Sequence, residues 1–491
     1  MSTLARNAGK DMNLIDLNGK KFGDGTVTNI ERIESIENEK SGKIYKIDFE
    51  ISYGGKSLIK NAMLIPENWN GRFVGIGNGG MAGILGTGWY CFAENGYIGA
   101  QSDLGTSAAR NGEITVAYDE MWADYGHRAI HGMTVTAKAI LEYVKGRPAE
   151  YSYFYGASAG GKSALSLAQR HPEDYDGIVA GVPSNNGLAF VTYLLWCYRK
   201  LGGDVGHPII GEELSERINL CAVKFFKARG DGQPEDDFMD FPYCGENTVP
   251  EFLDFLKIKL PELTKEQFEA LEAVYTGPIN PRTGERIYCG FPIGAELNTG
   301  YFLGDGITEI FELPWYRLFY GEGFDDKKFD FDEDYEKMFL AIGDDMSSNE
   351  EDLSGFEAQG GKLLMFSGAA DPYGPFADHL NYYYRVCKTM GGIEKVGEFF
   401  KHFIIPGRGH SSDGKGANMF TTGDDATDMI AVIRAWREEG VAPETLEVAH
   451  KYSDEIGGGY KFKRHVSPVT KTGKEGVDYP VCTSERLLQC K

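Results

Sequence analysis

The run Tyr151-Ser152-Tyr153-Phe154-Tyr155-Gly156-Ala157-Ser158-Ala159-Gly160-Gly161 constrains this chain more than any other segment. Its first five residues are rich in aromatics and predict a buried strand. The residues from about Gly161 to His171 predict a helix. Between them stands Gly-x-Ser-x-Gly, a strand-to-helix turn so sharp that only small residues fit around the serine. Here the neighbours are Gly156, Ala157, Ala159, Gly160 and Gly161, all small. The five letters alone mean little in a chain with 64 glycines; the strand before them and the helix after them carry the meaning. Such a turn exposes the hydroxyl and sets the positive end of a helix beside it. Ser158 is therefore read as a nucleophile.

The text around this turn alternates strand and helix. Lys43–Ile51 alternates apolar and polar residues, and Arg72–Gly77, Gly96–Gln101 and Gly177–Gly181 are short apolar runs. Ala129–Lys145 has Ile130, Met133, Ala137, Ile140, Leu141 and Val144 on one helical side. The alternation breaks after about Pro183 and resumes at Lys362–Gly368, His402–Pro406 and a closing helix, Asp425–Trp436. Because 491 residues exceed one simple core, the prediction is an α/β-hydrolase fold: a mostly parallel sheet covered by helices, with a large inserted lid domain. The boundaries expected are 1–185 for the first part, 186–360 for the lid and 361–491 for the second part.

A serine hydroxyl needs a base, and in this fold the order along the chain is serine, acid, histidine. His410, in the loop Pro406-Gly407-Arg408-Gly409-His410-Ser411, is the expected base. His402 stands at a strand start and reads as structural, His450 and His465 lie in less ordered text, and His127 and His131 precede the serine. Asp371, four residues past Ser367, is the expected acid. Asp378 is its competitor but reads as the first turn of a helix. The oxyanion donors expected are the backbone N–H groups of Ala159 and of Gly80 in Asn78-Gly79-Gly80-Met81, with Gly79 or Met81 as the alternatives to Gly80. This constellation predicts an acyl-enzyme hydrolase acting on a small-molecule ester. An amidase or peptidase with the same triad, or a non-catalytic binding protein on the same fold, are the other readings. No metal or other cofactor is expected.

The net charge of −23 excludes a nucleic-acid partner, which would need clustered Lys and Arg. No apolar window reaches membrane-spanning length. Arg6 and Lys10 are followed by no apolar stretch, so no secretory leader is expected in the chain as it stands. The eight cysteines show no Cys-x-x-Cys spacing and read as buried thiols, with Cys221–Cys244 and Cys482–Cys490 as the pairs to test for disulfides.

The nucleophile block from Tyr153 to Lys162, continued by Ala168-Gln169-Arg170-His171-Pro172-Glu173-Asp174-Tyr175-Asp176-Gly177-Ile178, resembles that of the tannase and feruloyl esterase family. Leu263-Thr264-Lys265-Glu266-Gln267, Tyr275-Thr276-Gly277-Pro278, Arg282-Thr283-Gly284-Glu285 and Trp436 to Pro443 are similar to the family's lid and closing helix. The resemblance implies a serine esterase of aromatic acids with Ser158, Asp371 and His410 as its triad. It also implies a lid that binds the phenolic part; Phe190, Tyr193, Trp196, Tyr198, Phe302, Phe311, Trp315, Tyr316 and Phe319 are the aromatic residues there, and Arg317 or Lys162 are candidates to meet a substrate carboxylate. Two departures stand out. The family's cysteine pair beside the serine and the histidine is replaced by Ala157 and Ser411, which points to a reducing cytoplasm. The stretch Ala222–Gly232, where the family often carries a calcium loop, offers two lysines, an arginine and one aspartate, so no calcium is expected there. The acidic residues Glu235, Asp236, Asp237 and Asp240 read as a solvated loop.

Overall fold

In a computed structural model, residues 14–242, 247–298, 313–452 and 458–470 are described. The chain divides into two compact units. One comprises Met1–Pro183, Asp352–Leu364 and Met429–Ala442; the other comprises Ser184–Glu351, Met365–Asp428 and Pro443–Lys491.

The first unit is built on a sheet with neighbours in the order β1-β2-β3-β4-β6-β5-β7-β8. Its strands are β1 Lys21–Phe22, β2 Gly25–Arg32, β3 Ile44–Ile51, β4 Ile59–Pro66, β5 Arg72–Ile76, β6 Ile98–Ser102, β7 Tyr151–Ala157 and β8 Gly177–Gly181. From β1 to β4, and from β4 to β6, neighbours run antiparallel. From β6 through β5 and β7 to β8 they run parallel. The parallel strands are short and buried along their length, as strands covered on both faces must be. Strands β2 and β3 keep one face wetter, which is why Lys43–Ile51 alternates, whereas β4 is buried along most of its length. In this sheet β7, which leads into Ser158, is flanked by a parallel partner on each side.

Helix Ala129–Lys145 buries Ile130, Met133, Ala137, Ile140 and Leu141 and leaves Val144 half-buried. It stops at Gly146, whose φ of 71° is the left-handed conformation that ends helices. The closing helix, Asp425–Glu439, belongs to this unit from Met429 on, and Glu438 fixes that part. That carboxylate receives Arg72 Nε at 2.7 Å and Tyr153 Oη at 2.7 Å, so the starts of β5 and β7 share one anchor. These donors hold the Glu438 carboxyl down at about 2, against the cost of its burial.

Strand β9, Lys362–Gly368, begins beside β8, where Lys362 N–H donates to Asp176 O. Its residues from Met365 on belong to the second unit, with β10 Phe400–Ile405 and the antiparallel pair β11 Leu446–Lys451 and β12 Tyr460–Val466. The remainder of that unit is largely helical, including Gly187–Lys200, Glu212–Lys227, Lys265–Thr276 and Phe376–Met390. Helix Lys265–Thr276 opens with a complete capping box, Thr264 with Gln267. Among the described residues, no helix is long and apolar enough to cross a membrane.

Candidate active site

Ser158 stands between the end of β7 and the helix Ala159–Arg170, with φ 60° and ψ −122°. A non-glycine residue in that region is strained, and it persists only where its surroundings over-determine it. Three contacts do so. Ser158 N–H donates to Gly181 O at 3.0 Å, Lys162 N–H donates to Ser158 O at 3.0 Å, and the flanking glycines pack backbone on backbone. A Cβ on Gly156 would lie 2.1 Å from Gly160 O, and one on Gly77 would lie 2.7 Å from Gly160 Cα. The root of the Gly-rich loop after β5 is therefore pressed against the elbow with no side chain between them. Ala159, as the first helical residue, has an N–H with no acceptor inside its helix.

The loop itself is a tight turn. Ala82 N–H donates to Gly79 O at 3.0 Å, and Gly80 has φ 58°. Gly79 N–H is taken by its neighbour's side chain, Asn78 Oδ1, at 3.0 Å, and Gly83 N–H by Asp103 O. Of the three amides weighed for the oxyanion, Gly79 is thus committed. Gly80 and Met81 N–H have no acceptor among the described residues.

In the second unit Asp371 and His410 meet. His410 Nδ1 lies 2.8 Å from Asp371 Oδ2, and the other carboxylate oxygen accepts the N–H groups of Tyr373 at 2.8 Å and Gly374 at 2.9 Å. Asp371 is fully buried, and His410 is mostly so. Burial alone would lower the imidazole's pKa. The charge of Asp371 and its hydrogen bond outweigh that and raise it, with Asp413 adding to the rise and Arg408 opposing it. The acid turn is held from two directions: Asn298 Nδ2 donates to Ala370 O at 2.7 Å and Tyr193 Oη to Pro372 O at 3.0 Å; Tyr288 Oη holds the start of the helix that follows, donating to Asp378 at 3.2 Å. The histidine loop is tied to the acid turn by Ala370 N–H on Arg408 O and to itself by Gly409 N–H on Asp413 O. Neither Tyr193 nor Asn298 was legible as a support in the sequence, because nothing local marks a residue whose partner lies 179 or 72 positions away.

The competing residues are occupied elsewhere. Asp378 lies in the first turn of helix Phe376–Met390. His131 Nδ1 meets Asp174 at 2.8 Å, and its ring stacks on His171 at 3.6 Å. His450 and His465, expected in less ordered text, stand instead on β11 and β12, and His450 Nδ1 is bonded to Gly416 O. Their segments read poorly because the polar faces of this two-stranded ribbon dilute its alternation. His402 is fully buried on β10, with Nε2 2.7 Å from Ser367 Oγ, which also meets His379 Nδ1 at 2.7 Å.

Burial, reinforced by the charge of His379, pushes the His402 pKa well below 6.5. The folded protein thus keeps this ring neutral where an unfolded chain would protonate it. Folding stability is then expected to fall as pH drops below about 6.5, by up to about 1.4 kcal/mol per pH unit from this group. The Glu438 contribution has the same sign but a lower window, from 4.5 down to about 2. Urea midpoints measured from pH 7.5 to 5 check this. His402→Gln should flatten the slope above pH 5, and an unchanged slope would refute the assignment.

Lys162, weighed as a partner for a substrate carboxylate, is buried, at 1% exposure, with its ammonium 4.3 Å over the Tyr125 ring. Arg317 lies half-buried on helix Leu313–Tyr320. Of the aromatic residues expected to line the lid, Tyr193, Tyr198, Trp315 and Tyr316 are buried in the second unit's own core, while Phe190, Trp196 and Phe319 are partly exposed. Phe302 and Phe311 lie outside the described residues, as do Cys244, Cys482 and Cys490. The acidic loop is not simply solvated. Arg464 pairs with both oxygens of buried Asp236 at 2.9 Å and with Asp240 at 3.0 Å, and Lys461 pairs with Asp237 at 2.7 Å. Asp231 accepts Phe241 N–H at 2.9 Å.

Comparison with known proteins adds to this geometry. A family model described as tannase and feruloyl esterase matches residues 49–306 and 318–482. A probable feruloyl esterase B-2 of Aspergillus flavus is 25% identical over 460 residues, covering 88% of this chain and 84% of the relative. An uncharacterized esterase of Xanthomonas campestris is 28% identical over 440 residues, covering 80% and 74%. Among solved structures, an esterase from Aspergillus oryzae superposes with a TM-score of 0.76 at 20% identity, over 96% of this chain and 98% of that one. Feruloyl esterase B of the same organism gives 0.73 at 20% identity, over 96% and 98%. The structural likenesses show the same fold.

Proposed function

Because the chain belongs to the tannase and feruloyl esterase family, we propose that it hydrolyses carboxylic esters of phenolic acids through an acyl-enzyme on Ser158. The observation that carries the reading is the strained conformation of Ser158 at a strand–helix turn whose neighbours are all small. Such a backbone is costly and has no structural use here that a glycine would not serve better.

In this reading His410 takes the Ser158 proton as Oγ attacks the ester carbonyl. The raised pKa of His410 makes it a stronger acceptor, and Asp371 stabilises the imidazolium without taking the proton itself. The amides of Ala159 and of the turn Gly79–Ala82, where those of Gly80 and Met81 are uncommitted, receive the oxyanion. The alcohol departs with the proton from His410, and water then releases the acid by the same steps in reverse order. The partly exposed lid rings Phe190, Trp196 and Phe319 offer an aromatic acyl group apolar area with defined ring geometry.

The test is an aryl ester panel, with methyl and sugar esters of hydroxycinnamic and hydroxybenzoic acids beside the matching amides. Esters should be cleaved and amides should resist by a large factor. A fluorophosphonate should label one residue, Ser158, by peptide mass. Labelling elsewhere, or turnover of amides at ester-like rates, would discard this reading in favour of a peptidase or of another nucleophile.

A further inference from the structure

The turn Gly79–Ala82 has a bistable centre. With φ positive at Gly80 and not at Met81, it is a type II′ turn. A flip of the peptide between Gly80 and Met81 would convert it to type I′, at the cost of a positive φ on methionine. The flip matters because a trans peptide points its carbonyl and its N–H in opposite directions. One orientation presents the Met81 amide where the other presents the Gly80 carbonyl. An oxyanion turn with the carbonyl inward would repel the charge it should receive.

One side chain fixes that peptide. Tyr125 Oη donates to Gly80 O at 3.1 Å. The next two carbonyls are pinned as well, Met81 O by Thr106 Oγ1 and Ala82 O by Arg110 Nη1 at 3.1 Å. Tyr125 is 6% exposed and lies in a π-helical turn, Asp124–Arg128, within an otherwise regular helix. Its neighbour Asp124 is buried and held by Ser57 at 2.7 Å and Arg128 at 2.8 Å, so the irregular turn is itself anchored. Such turns recur at functional sites because they re-aim one residue out of helical register. Lys162 completes the arrangement. It rises from the first turn of the helix that begins after Ser158 and sets its ammonium 4.3 Å from the Tyr125 ring centroid. A buried cation over a ring face is attracted by the ring's negative face, the more so when both are desolvated.

We propose that Tyr125, held by Lys162, is a positioning residue of the oxyanion turn: its hydroxyl locks the Gly80 carbonyl outward and so keeps the Met81 amide on the opposite face. The strut runs from the nucleophile helix through Lys162 and Tyr125 to the turn, so both halves of the proposed oxyanion site are referenced to one helix. The inference rests on reading Gly79–Ala82 as the oxyanion turn.

Tyr125→Phe removes one hydroxyl and keeps the ring beneath the lysine. It should lower kcat per active site by about 10- to 100-fold, active sites being counted by fluorophosphonate titration, with KM changed less than about threefold. Binding of an aryl trifluoromethyl ketone, whose adduct carries the oxyanion, should weaken by the same factor as kcat/KM. Lys162→Met should act in the same direction, and the double variant should lose less than the product of the two. A kcat for Tyr125→Phe within twofold of an active wild type overturns this inference and leaves the esterase reading standing. Loss of kcat with unchanged ketone affinity also overturns it. A wild type that cleaves no ester overturns both.

Discussion

Ser158→Ala is expected to lower kcat for a phenolic ester by about a millionfold, with the fold and ester binding retained. The size follows from covalent catalysis: without Oγ no acyl-enzyme forms, and what remains is the acceleration that binding and the oxyanion donors give to attack by water. The fold should survive, because the contacts that hold the elbow are made by backbone. Ser158 N–H and O bond Gly181 and Lys162, and the glycine seam at positions 77, 156 and 160 does not involve the hydroxyl. Equal urea midpoints and an unchanged affinity for a product phenolic acid, which binds without a covalent bond to Oγ, would establish that only chemistry was lost. Retention of even a hundredth of the wild-type rate, in protein free of wild-type contamination, would mean that another group is the nucleophile.

Asp371→Asn is expected to cost about ten-thousandfold in kcat, more than an isosteric change usually would. The hydrogen bonds explain why. Tyr373 and Gly374 both donate to Asp371 Oδ1. An asparagine must keep its carbonyl toward those two amides, which turns its NH2 toward His410 Nδ1. Two donors cannot face each other, so the imidazole shifts its proton to Nε2 and loses the lone pair it needs as a base. The pH profile supplies an independent signature. Asp371 raises the His410 pKa, and the base works only when neutral, so activity falls as pH drops through that raised value. Removing the carboxylate should move this acid limb to lower pH even as the plateau drops. A limb that stays in place would show that the rate is governed by some other titration.

Much of the site was legible because its requirements are local. Small residues around Ser158, a strand before it and a helix after it all fall within one window, and the strand appears at Tyr151–Ala157 and the helix at Ala159–Arg170. Asp371 and His410 each follow a strand, β9 or β10, and their chain order left few candidates. The strands Lys362–Gly368 and Phe400–Ile405 were visible as apolar runs for the same reason.

What escaped notice depends on distance along the chain or on backbone detail. The antiparallel flank of the sheet is set by which strands pair, and alternation in one strand does not say which neighbour it takes. Choosing among Gly79, Gly80 and Met81 required knowing where each amide points, and only Gly79 is spoken for by its neighbour, Asn78. Tyr125 gave no signal, since a single π-helical turn leaves the periodicity on either side intact. Lys162 shows how little proximity in sequence says about a side chain's partner. A lysine four residues past Ser158 was a candidate for a substrate charge, and its ammonium lies over the buried Tyr125 ring.

The two donors that hold the acid turn, Tyr193 and Asn298, and Tyr288, which holds Asp378 in the helix after it, come from within 186–360, the stretch in which the family resemblance places the lid. On the proposed mechanism, catalytic competence and substrate choice are therefore not separable modules. Exchanging that stretch for a relative's, as one would to transfer specificity, would also exchange the hydroxyls and the amide that fix the chain from Ala370 to Asp378. A chimera that keeps these three side chains tests selectivity; one that loses them confounds selectivity with a loosened acid and a weaker base.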